Sequence, residues 1–391
     1  MQELTCAKCG AALITRNVPD EGLYGDCAHC RTSYLIDDVD RTHVVVDVRG
    51  MEHRRRLPSR RLLIGGGVAI AAVSALSVVP TLIVSHGQEE VVEPSITPLW
   101  NIGGKGPGAG QFRDSIWSLT IDGQGRSATI ASSSPIVQLF DGDGRFLARW
   151  LKPQATGDLL AALPGGDLIF AAGRAFERRD AMTGRLVATI PQVVRYGTRM
   201  GATTPDGGFA AYYEGDSSSE TSERGGVPDD RLVYVGPDGT PGKAIGPLFG
   251  AVIRPDPASP KMPEVSAMAI DGAGTIYLLV YRGEEFDTRG GIYAFGPDGV
   301  FLRKIEIEQK YHGHIAAGAD GTLFHADPWM TRITRIKGAA TSAIDLAAIE
   351  RDAEMELGTP YRLAVFPNGD LGITTSAQRY LRVRWPVRQE A

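Results

Sequence analysis

The sequence predicts a mainly β chain: a six-bladed β-propeller standing behind one membrane-spanning helix and a small metal-held module. Three observations predict it. Four cysteines at paired spacing sit within the first 30 residues, and none follows. An uncharged run of 24 residues occupies positions 62–85. From about residue 96 a loose repeat of short apolar strands and Gly-rich turns returns every ~40–50 residues, which is the period of a propeller blade.

The bulk composition fits this division. A chain of 391 residues exceeds one average domain. With 43% hydrophobic residues, 22% charged residues and a net charge of −5, it is neither disordered nor a nucleic-acid binder by charge. Its 48 Gly and 24 Pro suit many tight turns. The averages conceal an asymmetry. Residues 1–61 hold 10 Lys/Arg against 9 Asp/Glu, and residues beyond 85 hold 31 against 37.

Cys6-Ala-Lys-Cys9 and Cys27-Ala-His-Cys30 are two Cys-x-x-Cys knuckles separated by 17 residues. Each knuckle turns both sulfurs toward one point, so the pair wraps one tetrahedral Zn²⁺. A module of ~35 residues buries too little core to fold alone, and the metal bonds supply the missing free energy. A redox dithiol is the competing reading of Cys-x-x-Cys. Four sulfurs leave no open coordination position, so the zinc is expected to be structural. His29 is expected to face solvent. The segment from Leu4 to Ile36 also resembles the zinc-ribbon modules at the N-termini of bacterial proteins, through the four cysteines, Gly10 and the apolar run after Cys30. That resemblance implies a structural zinc and leaves the module's partner open.

Leu62–Ser85 reads LLIGGGVAIAAVSALSVVPTLIVS. At 1.5 Å per residue it spans a ~30 Å hydrocarbon core with room for tilt. Arg49, Arg54, Arg55, Arg56, Arg60 and Arg61 precede it, and the far flank is HGQEEVVEPS. Cations stay in the cytoplasm, which predicts N-terminus in and C-terminal body out. A cleavable signal peptide is a poorer fit behind sixty residues. Ser59-Arg60-Arg61-Leu62-Leu63 also matches a twin-arginine export pattern, with the same final topology. Gly65-Gly66-Gly67 falls inside the span and is no nucleotide loop. The Arg run is explained by topology and anionic lipid. The cysteine module's own charge is balanced, against nucleic-acid binding.

In the C-terminal body, first-turn signals fall at Asp122-Gly123, Pro164-Gly165-Gly166-Asp167, Pro205-Asp206-Gly207, Asp271-Gly272, Asp320-Gly321 and Pro367-Asn368-Gly369. Second-turn signals fall at 141–144, 183–184, 237–239, 297–299 and, weakly, 337–338. Six first turns predict six blades, with seven as the alternative. The last module supplies three strands, and Leu99-Trp100-Asn101-Ile102 reads as an orphan fourth strand that closes the ring. Two insertions, 214–230 and 247–264, are expected as loops. The body resembles the NHL-repeat propellers through GxGPGxGQF at Gly104–Phe112, the strand ending in Ile121-Asp122, and FDGDGRFL (140–147) and FGPDGVFL (295–302). Expected boundaries are 1–38 zinc ribbon, 39–61 basic linker, 62–85 membrane helix, 86–95 linker and 96–387 propeller.

For chemistry the sequence offers little. His312, His314 and His325 are the histidines of this body. His312 and His314 alternate, which puts them on one face of an innermost strand near the channel mouth, where another blade's ligand would complete a metal site. Asp122, Asp271 and Asp320 stand where turns need backbone acceptors. No Gly-x-Ser-x-Gly elbow or phosphate loop occurs. The leading expectation is a membrane-anchored scaffold or sensor in the cell's inner or plasma membrane, offering the ring to a protein, peptide or glycan. The rival is a propeller hydrolase or lyase with a channel metal.

Overall fold

The computed structural model describes the backbone of residues 13–18, 22–27, 33–36 and 91–92. With side chains it describes 96–385, except 133, 154–155, 193–199, 214–229, 250–251, 253–263, 282–289 and 308–311. Two compact units result, Met1–Ile83 and Val84–Ala391. In the first, β1 (Leu13–Val18), β2 (Gly22–Cys27) and β3 (Ser33–Ile36) form an antiparallel meander, with Leu13 opposite Cys27. Cys6, Cys9 and Cys30, and the expected membrane helix at 62–85, lie outside the described residues. Among the described residues no helix is long and apolar enough to cross a membrane.

The second unit is a six-bladed β-propeller. It opens with β4 (Val91–Val92) and β5 (Trp100–Gly103). Blade 1 is β6 (Ile116–Ile121), β7 (Ser127–Ala131), β8 (Ile136–Phe140) and β9 (Phe146–Leu151). Blade 2 is β10 (Leu159–Ala162), β11 (Asp167–Ala172), β12 (Ala175–Asp180) and β13 (Leu186–Pro191). Blade 3 is β14 (Met200–Thr203), β15 (Phe209–Tyr213), β16 (Arg231–Val235) and β17 (Pro241–Ile245). Blade 4 is β18 (Val265–Ile270), β19 (Ile276–Val280), β20 (Gly291–Phe295) and β21 (Phe301–Ile305). Blade 5 is β22 (His314–Ala317), β23 (Leu323–Ala326), β24 (Arg332–Lys337) and β25 (Ala340–Asp345). Blade 6 is β26 (Pro360–Val365), β27 (Leu371–Thr375) and β28 (Arg379–Val383), and β5 is its fourth strand.

The expected closure is therefore present. β5 runs antiparallel to β28, with Ile102 opposite Tyr380 and Trp100 opposite Arg382. The expected orphan strand is shifted by one residue, to Trp100–Gly103. A lone blade has two apolar faces and needs a neighbour on each. Six buried apolar clusters supply this, one at each blade interface around the ring. The cluster of Phe112, Ile116, Ala131, Phe140, Phe366 and Tyr380 joins blade 6 back to blade 1. Innermost strands meet in the cycle β6, β10, β14, β18, β22, β26 and again β6. Second strands are covered on both faces, so β7, β15, β19 and β27 are buried at every position. β15 and β19 read as apolar runs rather than alternating ones, while β7 and β27 also bury Ser127, Thr129, Thr374 and Thr375.

The first turn is built the same way in all six blades. A backbone N–H three residues on closes it, as in Gly125 to Asp122 O and Gly369 to Phe366 O, both with the glycine at positive φ. This is a type I turn ending in a left-handed residue, the common hairpin with a one-residue bulge. In blades 1 and 4 the left-handed residue is Gly125 or Gly274, two positions after the glycine of the Asp-Gly signal. The aspartates act as backbone acceptors. Asp122 Oδ1 accepts from Gln124 and Arg126 N–H, and Asp271 Oδ1 from Ala273 and Thr275 N–H. Asp320 Oδ1 accepts from Thr322 N–H.

Two features were not expected from the sequence. β4, within the anticipated linker, adds a parallel fifth strand to β25. A short helix, Leu346–Asp352, begins at Asp345, whose carboxylate accepts from Ala347 N–H. Residues 214–229 of the first insertion and most of that at 247–264 lie outside the described residues.

Candidate functional site

Antiparallel blades sort their connections by face. The starts of innermost strands, the links between blades and the second-to-third turns share one face. First turns and third-to-fourth turns share the other. The histidines singled out by sequence belong to the first face. His314 opens β22, and His312 lies two residues before it.

The two side chains engage opposite neighbours. His312 stacks on Tyr281 of blade 4 at 4.1 Å between ring centroids, with Glu264 Oε2 3.9 Å from its Nε2. His314 turns toward blade 6, where Arg362 Nη1 lies 3.1 Å from its Nδ1. Among the described residues no group of three His, Cys, Asp or Glu is disposed to hold a metal. A guanidinium on Nδ1 also opposes a cation there. His325, on β23, is buried, and its Nε2 has no hydrogen-bond partner among the described residues.

Arg362 is the centre of what the structure assembles. It stands on β26 and reaches both adjoining innermost strands. On one side is His314 of β22; on the other is Trp117 of β6, with the guanidinium carbon 5.5 Å from its ring centroid. Arg362 Nη1 also donates to Tyr361 O at 3.1 Å. Tyr361 and Trp117 lie 6.0 Å apart, tilted by 32°. Both are the extra residue of a strand irregularity: the register of β6 slips between Ile116 and Ser118, and that of β26 between Pro360 and Arg362. A bulge re-aims a side chain that regular pleating would turn into a blade interface. Trp117 is accordingly 50% exposed.

The electrostatics follow from depth. Arg362 and His314 touch solvent in the channel yet have protein on most sides. Burial lowers Arg362 to about 10, against the opposing pull of Asp158 and Tyr361. Burial first, then Arg362, His325 and His312, hold the His314 imidazolium well below its ordinary value. His314 is thus neutral at pH 7, and Nδ1 accepts from the guanidinium. Lys152, at the nearby link from blade 1 to blade 2, donates to Thr156 O and Gly157 O at 2.8 Å, and its pKa is lowered by burial and raised by Asp158.

Five other arginines of the ring are tied to carboxylates, whereas Arg149 and Arg379 donate to backbone carbonyls. Arg126 pairs with Asp122, Arg178 with Asp167, Arg179 with Glu177, and Arg382 and Arg384 with Asp370. Among the described residues Arg362 has no carboxylate within ion-pair distance. Sequence reasoning passed over Arg362, Trp117 and Tyr361. Tyr361-Arg362 beside a proline at the start of an innermost strand was the available signal, and it is a faint one.

The loop Gly104–Phe112, which carries the family resemblance, has a structural task. Gln138 holds it at both ends of its amide, donating to Gln111 O at 2.7 Å and accepting from Gly110 N–H at 2.9 Å. Phe112 is buried against Phe140.

No protein-family model and no curated protein matches the chain. Solved structures do. It is similar to a streptogramin B lyase at 12% identity, covering 70% of this chain and 95% of that one, with a TM-score of 0.46. It is similar to a gluconolactonase from Xanthomonas campestris at 15% identity, 69% and 86% coverage and TM-score 0.46. It is similar to virginiamycin B lyase from Staphylococcus aureus at 10% identity, 70% and 96% coverage and TM-score 0.41. The likeness is one of fold, and no chemistry follows from it.

Proposed function

We propose that this chain is a single-pass, membrane-anchored binding protein, a scaffold or sensor, whose propeller receives its ligand at the channel mouth. In this reading residues 1–38 form a cytoplasmic zinc ribbon with Cys6, Cys9, Cys27 and Cys30 as structural ligands. Residues 39–61 are a basic linker, 62–85 cross the membrane, and the ring from 96 stands outside as an NHL-like propeller. Support for the topology is the charge asymmetry around an uncharged 24-residue run. Support for the zinc is the knuckle spacing.

The observation that carries the binding role is Arg362. A recessed cation with no carboxylate in ion-pair contact among the described residues, beside a half-exposed indole, is disposed for a ligand. The enzyme alternative asks for a third ligand beside His312 and His314, and the turn of these two toward different blades does not favour it.

Site-specific photocrosslinking tests the role. A photoreactive residue replacing Trp117 is expected to capture an extracytoplasmic partner. The same residue replacing Val300, exposed in a turn of the opposite face, is expected to capture none. Equal capture at both positions, or none at 117, contradicts the reading.

A further inference from the structure

We propose that Arg362, Trp117 and Tyr361 form a subsite for a carboxylate carried on a ring, such as a sugar acid or an aromatic acid. This deepens the binding reading above and rests on it.

The argument begins with the donors of one side chain. Among the described residues Arg362 makes two hydrogen bonds, to His314 Nδ1 and to Tyr361 O, and both use Nη1. Nε and Nη2 make none among the described residues, and they are not sealed from solvent. Those two N–H groups form the edge of the guanidinium that meets a carboxylate side-on, in two parallel hydrogen bonds. The bonds at Nη1 fix the plane of the guanidinium and leave this edge unused by the described residues. His314 and the Tyr361 carbonyl are thus positioning groups. Depth strengthens a charge-assisted pair there, because the solvent that screens surface pairs is partly excluded.

The ring specificity comes from Trp117. The guanidinium carbon lies over its ring, 5.5 Å from the centroid, and the residue is 50% exposed, so part of its apolar surface is offered to whatever the arginine holds. Tyr361 adds a second aromatic wall at 6.0 Å from the indole. A compact inorganic anion satisfies the guanidinium and leaves both aromatic faces wet. A neutral sugar covers an aromatic face and leaves the guanidinium edge without an acceptor. A ring carrying a carboxylate satisfies both at once.

Calorimetric titration of the full chain in detergent separates these cases, with D-glucuronate, benzoate, D-glucose and acetate as probes. At least one ring acid is expected to bind roughly 10-fold more tightly than glucose and acetate. Which of the two acids binds better identifies the saccharide or the aromatic source. Arg362→Gln is expected to weaken that binding by about 10-fold or more, and Trp117→Ala by about 5-fold. Lys337→Gln, on the opposite face in an ion pair with Asp320, is expected to leave it unchanged. If Arg362→Gln does not fold, Trp117→Ala carries the test, since its side chain is half exposed. Ring acids binding no better than acetate or glucose, or undiminished binding by the folded variants, overturns the ligand class. If photocrosslinking at position 117 persists in that event, the binding role stands with a different ligand; if it is also absent, both readings fall.

Discussion

Replacing Trp100 by alanine attacks the ring at its seam. Trp100 lies on β5, the strand that arrives from the N-terminal side to complete blade 6. Its indole packs edge-on against Tyr380 at 4.8 Å and Phe366 at 6.2 Å. Its Nε1 donates to Gly142 O of blade 1 at 3.0 Å. One side chain therefore links the closing strand, the blade it completes and the next blade. Truncating a buried Trp or Phe typically costs about 3–5 kcal/mol. Trp100 is half-buried, which argues for the low end. The lost hydrogen bond adds little, because Gly142 O also accepts from Arg382. The expected loss is about 3 kcal/mol, which lowers the melting temperature of a unit of this size by about 6 °C. Circular dichroism of the full chain in detergent reads the shift. The comparison is Leu302→Ala on the outer strand of blade 4, where the leucine is 56% exposed and the expected change is within about 0.5 kcal/mol. Equal, small shifts in both variants would refute the claim that β5 closes the ring.

Two further outcomes follow from the chemistry of single groups. Burial pushes His325 down to about 4, against an ordinary imidazole value of about 6.5. The neutral ring is favoured in the folded chain, so its contribution is complete above pH 6.5 and is lost as pH falls toward 4. The integrated loss is about 3 kcal/mol. Urea midpoints measured from pH 7 to 4 are expected to fall less steeply for His325→Leu than for the native chain; identical slopes would contradict the assignment. Separately, the native chain is expected to carry one zinc, and Cys27→Ser to lose it while the melting of the ring is unchanged. Elemental analysis and calorimetry check this together, and full zinc retention in the variant would contradict four-sulfur ligation.

The blade count was legible because turns are local chemistry. Pro-Asp-Gly and Asp-Gly signals mark chain reversals through a few φ/ψ values, and their spacing exposes the repeat whatever the ring's radius. Closure was legible as well: a last module of three strands leaves one pairing edge open, and Trp100-Asn101-Ile102 was available to fill it. The details of two turns were not. In blades 1 and 4 the aspartate's acceptor role set the turn, so the left-handed position fell to Gly125 and Gly274 rather than to the adjacent glycine.

The mouth was far less legible. Arg362 gains its surroundings from strands about 50 and 245 residues away in sequence, the first in the preceding blade and the second brought in by ring closure. Trp117 and Tyr361 owe their aim to single-residue bulges, and a bulge leaves no composition cue in a strand of ordinary residues. The histidine pair illustrates the opposite error. Alternation suggested a shared face for His312 and His314, but regular β-structure begins only at His314, so strand parity does not govern His312. β4 was hidden for a related reason, since two valines in a linker carry no period to detect.

The absence of cysteine beyond residue 30 permits a direct test of the central claim, that the ring stands outside the membrane and its N-terminal module inside. Val300→Cys places one thiol in an exposed turn of blade 4. A membrane-impermeant maleimide applied to intact cells is expected to label this variant and not the native chain, whose thiols are expected to react only after lysis and zinc removal. Labelling of the variant that appears only on lysis would place the ring on the cytoplasmic side and contradict the account.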